Sequence, residues 1–160
     1  MPDTLLSTKL FASRPRANLV ARPRLLERLN QGLRQGHKLT LISAPAGFGK
    51  SILVAEWLTS LEEDQFRMLN SEFRSQATWL SLDEGDNDLA QFLSYFMAAL
   101  QTAVPELGEG ALALLHASPQ APLPAILTTL INDIAALPGS EGITLTLDDY
   151  HLIDSSPVDE

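Results

Sequence analysis

The chain has 160 residues, an apolar fraction of 45% and a net charge of −9 at pH 7, which fit one globular domain with a sizeable core. It has no cysteine, which excludes disulfides and thiolate metal sites, and its three histidines are too scattered to suggest a zinc site. It lacks a secretory signal pattern and any apolar run near the ~18 residues of a membrane span, so we expect a cytoplasmic protein without membrane contact.

The first part of the chain predicts an arm followed by a helix. Residues 1–21 contain Pro15 and scattered arginines with little periodicity, which indicates an extended N-terminal arm. A helix is predicted to begin after Arg22, because the next residue is a proline, which suits the first helical position. The helix is predicted to end at Gly36. We therefore expect the arm at 1–21 and the N-terminal part of one domain at 22–160. The apolar face of the helix consists of Leu25, Leu26, Leu29 and Leu33.

A glycine-bearing loop at 43–51 lies between an apolar run at 39–42 and a helical pattern at 52–61, which predicts a strand at 39–43, a loop and a helix. A helix N-terminus leaves backbone N–H groups unpaired and carries a positive partial charge, so such a loop can cradle the phosphates of a nucleotide. The predicted nucleotide-binding residues of the loop are Ala44, Pro45, Ala46, Gly47, Phe48, Gly49, Lys50 and Ser51.

The residue types in this loop suit that chemistry. Gly47 and Gly49 can adopt backbone angles that are closed to other residues. Lys50 can reach the β- and γ-phosphates, and the Ser51 hydroxyl can ligate Mg²⁺. Ala44 holds the position at which the general P-loop pattern has its first glycine, so we expect a negative φ there.

Positive charge is concentrated in the first 50 residues. They carry nine of the 11 Lys and Arg residues but only two of the 20 Asp and Glu residues. This basic segment could surround a nucleotide, lie on the acidic remainder or be a solvated face. Arg22 either lies near the bound nucleotide or is an exposed arginine at a helix start. No basic stripe with interleaved aromatics and no helix-turn-helix pattern occurs, so we do not expect direct DNA contact by these residues.

The residues after the loop helix predict further strands and helices. A second strand is predicted at 78–82, and the carboxylates at 83–88 are predicted to cap a helix, because they lack the spacing of a calcium-binding loop. Helical spacing follows at 89–100, with one or two short turns around 112–115 and a longer helix ended by Pro138 and Gly139. The predicted inner face of that longer helix is Ile126, Leu127, Leu130, Ile131 and Ile134.

A third strand is predicted at 143–147, and it is followed by two acids, Asp148 and Asp149. An apolar strand that ends in acids is a weak signal alone, but downstream of a phosphate loop it has the form of a Walker B motif. In P-loop NTPases such a first acid holds Mg²⁺, and a neighbouring acid can orient and deprotonate the attacking water. We therefore predict Asp148 as a metal-supporting residue and Asp149 as the catalytic residue.

Four segments in this order resemble the nucleotide-binding domain of the MalT-like, large ATP-binding LuxR-type transcriptional regulators, within the STAND class of signal-transduction ATPases. They are Lys9-Leu10 with residues 19–25, the loop at 44–51, residues 79–88 and residues 147–153. The resemblance covers nearly the whole chain, and an alanine at the position of Ala44 is usual in that family.

The resemblance implies an α/β P-loop NTPase fold, a parallel sheet with flanking helices, that is incomplete here because the C-terminal strands are missing. It implies a switch that binds ATP or ADP with Mg²⁺. ATP together with an inducer would favour a self-associating form of the full regulator, ADP would favour a resting monomer, and slow hydrolysis would reset the switch. DNA would be bound only through a C-terminal helix-turn-helix that these residues do not contain.

An alternative function is that of a small-molecule kinase or another metabolic P-loop phosphotransferase. Such enzymes usually clamp phosphates with arginines from a lid, and no arginine follows Arg74, which favours the switch.

In the family that the chain resembles, a fourth strand separates the first from the third. Because this strand is absent, we expect residues 1–160 alone either to pair the first and third strands directly or to fold poorly, with negligible ATP hydrolysis in both cases.

Overall fold

The computed structural model describes residues 5–12, 20, 22–67, 74–117, 122–138 and 141–154, without the side chains of 62–67, 74, 75 and 141. The chain divides into two compact units. We call Ala12–Ser71 the loop unit, and Met1–Phe11 together with Glu72–Glu160 the sheet unit.

In the described residues of the loop unit there are two helices, α1 at Pro23–Arg34 and α2 at Lys50–Arg67. Helix α1 begins and ends where the sequence predicted, because Pro23 occupies its first turn and Gly36 takes a φ of 71° just beyond its end. Two hydrogen bonds close this end, from the Gly36 N–H to the Leu33 carbonyl and from the His37 N–H to the Gly32 carbonyl, both at 3.0 Å. The Trp57 indole N–H donates to Asn30 Oδ1 at 2.7 Å and links the two helices.

The sheet unit is built on two parallel strands, β1 at Arg74–Ser81 and β2 at Glu141–Asp148. Their register runs from Arg74 opposite Glu141 to Ser81 opposite Asp148. Three helices connect the strands, namely α3 at Leu89–Gln101, α4 at Glu109–Ala117 and α5 at Leu123–Ala135. This helical crossover between parallel strands confirms the predicted α/β class. Short 3₁₀ helices lie at Ser7–Leu10, Glu84–Asn87 and Tyr150–Leu152.

The core of the sheet unit lies between the strands and the three helices. Its largest fully buried apolar side chains are Leu80 of β1, Met97 of α3 and Ile126 of α5. The predicted capping role of 83–88 is confirmed. Asp83 and Asp86 form a reciprocal capping box on the 3₁₀ helix, and the Asp88 side chain caps α3 by accepting from the Gln91 N–H at 2.8 Å.

Several predicted elements differ from the structure. The predicted strand at 39–43 is not a strand, and Leu39 and Leu41 are 86% and 85% exposed. A strand is defined by ladder hydrogen bonds to a neighbour, and the sheet among the described residues consists of β1 and β2 alone. Because 39–43 is not a strand, the predicted direct pairing of the first and third strands is also not formed among the described residues; β2 pairs with β1 there.

Two smaller predictions were also wrong. The predicted extended arm is helical at Ser7–Leu10, where Lys9 is buried, while 1–4, 13–19 and 21 of the arm lie outside the described residues. Helix α5 buries Ile126 and Leu130, but Ile131 and Ile134 are 62% and 42% exposed, because the predicted apolar stripe is wider than the face that packs on the core. Helix α5 ends at Ala135, and Gly139, predicted to help end it, lies outside the described residues.

Candidate functional site

The loop of the loop unit has the backbone geometry of an anion cradle. Gly47 and Gly49 have φ angles of 82° and 75°, which side chains with a Cβ rarely adopt. Lys50 opens α2, and the first helical hydrogen bond runs from the Leu53 N–H to the Gly49 carbonyl at 3.0 Å. The N-terminus of α2, with its positive partial charge, therefore follows the loop directly, as phosphate binding requires.

Ala44 has the backbone conformation expected of a loop without its first glycine. Among the described residues, Asp149 is the sole non-glycine residue with a positive φ, so Ala44 has a negative one. An alanine at this position therefore carries no left-handed strain.

The Lys50 side chain folds back over the loop. Its Nζ donates to the Ala44 carbonyl at 2.8 Å and to the Pro45 carbonyl at 3.3 Å. Because these carbonyls are neutral, the ammonium keeps its full positive charge above the loop. An anionic oxygen bound there would gain a charge-assisted hydrogen bond.

Arg22 lies against the same loop. Its Nη1 donates to the Phe48 carbonyl at 2.8 Å and to the Gly49 carbonyl at 3.5 Å. Its Nη2 is 3.0 Å from the point that a Cβ on Gly49 would occupy. Of the two alternatives that the sequence left open for Arg22, the structure favours the position at the loop.

An open cleft of about 760 Å³ adjoins the loop within the loop unit. Apolar side chains from α1 and from 39–44 line it together with the cationic side chains of Arg22 and Lys50. A cleft that combines apolar walls with a few charged groups suits a ligand with an apolar part and an anionic part. Its lining includes Leu25, Leu29, Leu41 and Phe48.

The two predicted acids belong to the sheet unit. Asp148 is the last residue of β2, and its carbonyl accepts from the Leu82 N–H at 3.0 Å. Asp149 follows with φ 58° and ψ 32°, a left-handed conformation. The Asp149 side chain is 49% exposed, and its Oδ1 lies 3.9 Å from His151 Nδ1. The structure therefore places one acid within the sheet and the next on a turn that leaves it accessible.

The predicted metal-supporting residues are chemically suited to Mg²⁺. The Ser51 hydroxyl and the Asp148 carboxylate are hard oxygen donors, which Mg²⁺ prefers. No group of three or more His, Asp or Glu side chains in the described part of the chain is arranged to hold a metal alone.

The segment at 83–88 makes two long-range contacts that the sequence did not predict, since it assigned the segment a capping role alone. Lys9 Nζ donates to Asp83 Oδ2 at 3.0 Å and to Asp86 Oδ2, and it lies 4.2 Å from the centre of the Tyr95 ring. Asn87 binds backbone groups that follow β2. Lys9 and this segment were part of the family resemblance, but the pairing of residues more than 60 positions apart has no signal in one sequence.

None of the helices described in the structure is long and apolar enough to cross a membrane.

Comparison with known proteins agrees with the geometry of the loop. A family model described as an AAA ATPase domain matches residues 18–160. The chain is 33% identical over 156 residues to the HTH-type transcriptional regulator MalT of Yersinia pestis (strain Pestoides F) and 31% identical to that of Cronobacter sakazakii (strain ATCC BAA-894). Each match covers 98% of this chain and 15% of the relative's length. These similarities confirm the resemblance to MalT-like regulators, and the chain belongs to the AAA ATPase domain family.

Proposed function

We propose that the chain is the ATP-binding and slowly hydrolysing switch domain of a transcription regulator. The observation that carries this proposal is the Lys50 ammonium, which lies over a glycine loop at a helix N-terminus and donates to two loop carbonyls at 2.8 and 3.3 Å. Membership of the AAA ATPase domain family supports ATPase-type chemistry. The similarity to proteins named transcriptional regulators favours a switch over a metabolic kinase.

In this proposal the loop unit binds the nucleotide. The backbone N–H groups of the loop and Lys50 bind the β- and γ-phosphates, and Arg22 holds the Phe48 and Gly49 carbonyls so that the loop keeps its shape. The cleft beside α1 takes the nucleoside. Ser51 and Asp148 support Mg²⁺, which when bound would neutralise charge on the phosphates.

Asp149 acts on the attacking water. Its carboxylate accepts a proton from the water as the water oxygen bonds to the γ-phosphorus and the bond from this phosphorus to the bridging oxygen breaks. The products are ADP and inorganic phosphate. Asp149 suits this role because its side chain is half exposed on a turn.

The partners and location of the protein follow from the same proposal. ATP together with an inducer favours a self-associating form of the regulator, and ADP favours a resting monomer. DNA contact belongs to a helix-turn-helix outside these residues, consistent with relatives named HTH-type regulators. A transcription regulator acts in the cytoplasm of a bacterium.

The test uses the full-length protein and two substitutions that separate binding from turnover. Lys50→Ala should abolish detectable ATP binding in isothermal titration, because the cation over the loop is removed. Asp149→Asn should retain ATP affinity but lose at least about 10²-fold in turnover, because the amide accepts no proton from water.

Lys38→Ala is the matched control for Lys50→Ala, since Lys38 is an exposed lysine of the same unit. Unchanged ATP affinity in Lys50→Ala would overturn the binding role. If Asp149→Asn lost ATP binding but kept the residual rate of hydrolysis, the roles assigned to Asp148 and Asp149 would have to be exchanged.

A further inference from the structure

The Asn87 side chain uses both ends of its amide to hold backbone groups. It is half-buried at the end of the 3₁₀ helix Glu84–Asn87. Its Nδ2 donates to the Glu84 carbonyl and to the Leu152 carbonyl, both at 3.0 Å, and its Oδ1 accepts from the Asp154 N–H at 2.6 Å. Helix capping alone does not explain two contacts to residues that are 65 and 67 positions away.

These contacts fix the turn that follows Asp149. The Leu152 N–H donates to the Asp149 carbonyl at 3.0 Å, so the residue that Asn87 binds is itself bonded to Asp149. Ile153, between the two residues that Asn87 holds, is 8% exposed and belongs to the core. The turn is therefore anchored on both sides of a buried side chain.

Such an anchor stabilises the conformation of Asp149. A residue with a Cβ is less stable in the left-handed region than in the right-handed region, although Asp adopts it more often than most residues, and contacts of the surrounding turn help to keep it there. Asp149 is the sole non-glycine residue with a positive φ in the described ranges. Its conformation sets the direction in which its carboxylate leaves the end of β2.

We propose that Asn87 is a positioning residue that holds Asp149 in its productive orientation. The inference rests on the proposed function, in which Asp149 activates water. Asn87 is itself held by the 3₁₀ helix that Asp83 and Asp86 cap, so its amide is fixed before it reaches the turn. The role requires a donor and an acceptor on one side chain. Alanine offers neither, and an ionised aspartate accepts but does not donate.

The first experiment measures turnover and ATP affinity of Asn87→Ala and Asn87→Asp in the full-length protein. We expect kcat to fall ~10-fold or more while the Kd for ATP stays within about twofold, because the substitutions misplace Asp149 and leave the phosphate loop unchanged. Asn87→Asp retains the acceptor for the Asp154 N–H and most of the side-chain volume, so it tests the role if Asn87→Ala fails to fold. Asn132→Ala, at an exposed position of α5, is the matched control and should behave as the wild type.

The second experiment measures hydrogen exchange at the backbone amides of 150–154 in the same proteins. Faster exchange confined to this turn supports the proposal, because a general loss of folding would raise exchange throughout the sheet unit. Wild-type kcat in both variants would overturn the proposal, as would unchanged exchange at 150–154. If the wild type itself hydrolyses no ATP, the proposed function fails, and the exchange result alone decides whether Asn87 holds the turn.

Discussion

At the scale of single residues, Lys9 belongs to a buried ion pair. It is 8% exposed, and Asp86, which binds it, is fully buried. The Asp83 carboxylate and the Tyr95 ring complete its surroundings. A buried pair of this kind adds little net stability over an apolar pair, but removal of one partner leaves a buried charge uncompensated.

Lys9→Met should therefore destabilise the protein strongly, by ~3–5 kcal/mol, because Asp86 would remain buried without its cation. Lys9→Met combined with Asp86→Asn should lose less than the sum of the single substitutions. The measurement is chemical unfolding, with Lys38→Met as the control at an exposed lysine. Equal stability of Lys9→Met and the wild type would show that the ion pair is not maintained in solution.

The same ion pair predicts a pH dependence. Burial opposes the charge of Lys9, but the hydrogen bonds that its ammonium donates to Asp86 and Asp83 outweigh this effect and raise the pKa of Lys9 above its ordinary 10.5. The hydrogen bond from Lys9 holds the pKa of Asp83 below its ordinary 3.8. The contribution of Asp83 to stability is therefore complete above pH 3.8 and lost as the pH falls through its folded-state pKa. The contribution of Lys9 to stability is complete below pH 10.5 and is lost as the pH rises through the raised pKa of Lys9. Chemical unfolding of the wild type at a series of pH values should accordingly show no loss of stability from this pair between pH 3.8 and 10.5.

At the scale of elements, α3 and α5 pack closely against Gly108, just before α4. Gly108 has a φ of 75°, and a Cβ there would lie 3.2 Å from Leu130 Cδ1 and 3.4 Å from Met97 Cγ. Both neighbours are buried, at 4% and 0% exposure, in a close-packed interior. A side chain at Gly108 would therefore press on α3 and α5.

Gly108→Ala should destabilise the protein through both backbone strain and overpacking. The left-handed conformation costs about 1–2 kcal/mol for an alanine. Overpacking against Leu130 and Met97 adds about 1–3 kcal/mol. Gly36→Ala is the matched control, because Gly36 has a φ of 71° but nothing within 4 Å of the added Cβ. Thermal unfolding of the two variants separates the cost of backbone strain from the cost of overpacking. Equal losses of stability in both variants would mean that the helices adjust to the added methyl group.

At the scale of the whole molecule, the segment at 39–43 exposes apolar side chains and lies outside the sheet of the described residues. Leu39 and Leu41 are almost fully exposed, and the segment that leads into the phosphate loop is not part of a sheet. In parallel sheets the strands are normally buried and paired on both sides. The loop thus has its local geometry without the strand pairing that would hold it rigid.

Residues 1–160 alone should therefore hydrolyse ATP negligibly. The segment at 39–43 lacks the strand pairing that would fix the loop, and a whole domain is stable by only about 5–15 kcal/mol, so the loss of a few such contacts matters. The measurement is steady-state ATPase activity together with thermal unfolding, compared with a longer chain that carries the rest of the domain. A cooperative transition and equal turnover in residues 1–160 would contradict the prediction.

The sequence by itself determined the parts of this protein that depend on local chemistry. Pro23 and Gly36 determined where α1 begins and ends, Asp83 and Asp88 determined the caps, and the order of apolar runs and helices determined the α/β class. Such features depend on backbone angles and hydrogen bonds within a few residues. These features can therefore be predicted from neighbouring residues alone.

Only the tertiary structure decided which distant residues meet. It placed Arg22 on the loop, buried Lys9 between two acids, and joined Asn87 to the turn after Asp149. It also left 39–43 outside the sheet, although the apolar pattern of that segment favours a strand. The physical reason is that ladder pairing and the burial of a charge depend on a partner far away in the chain, and the local pattern of a segment carries no information about that partner.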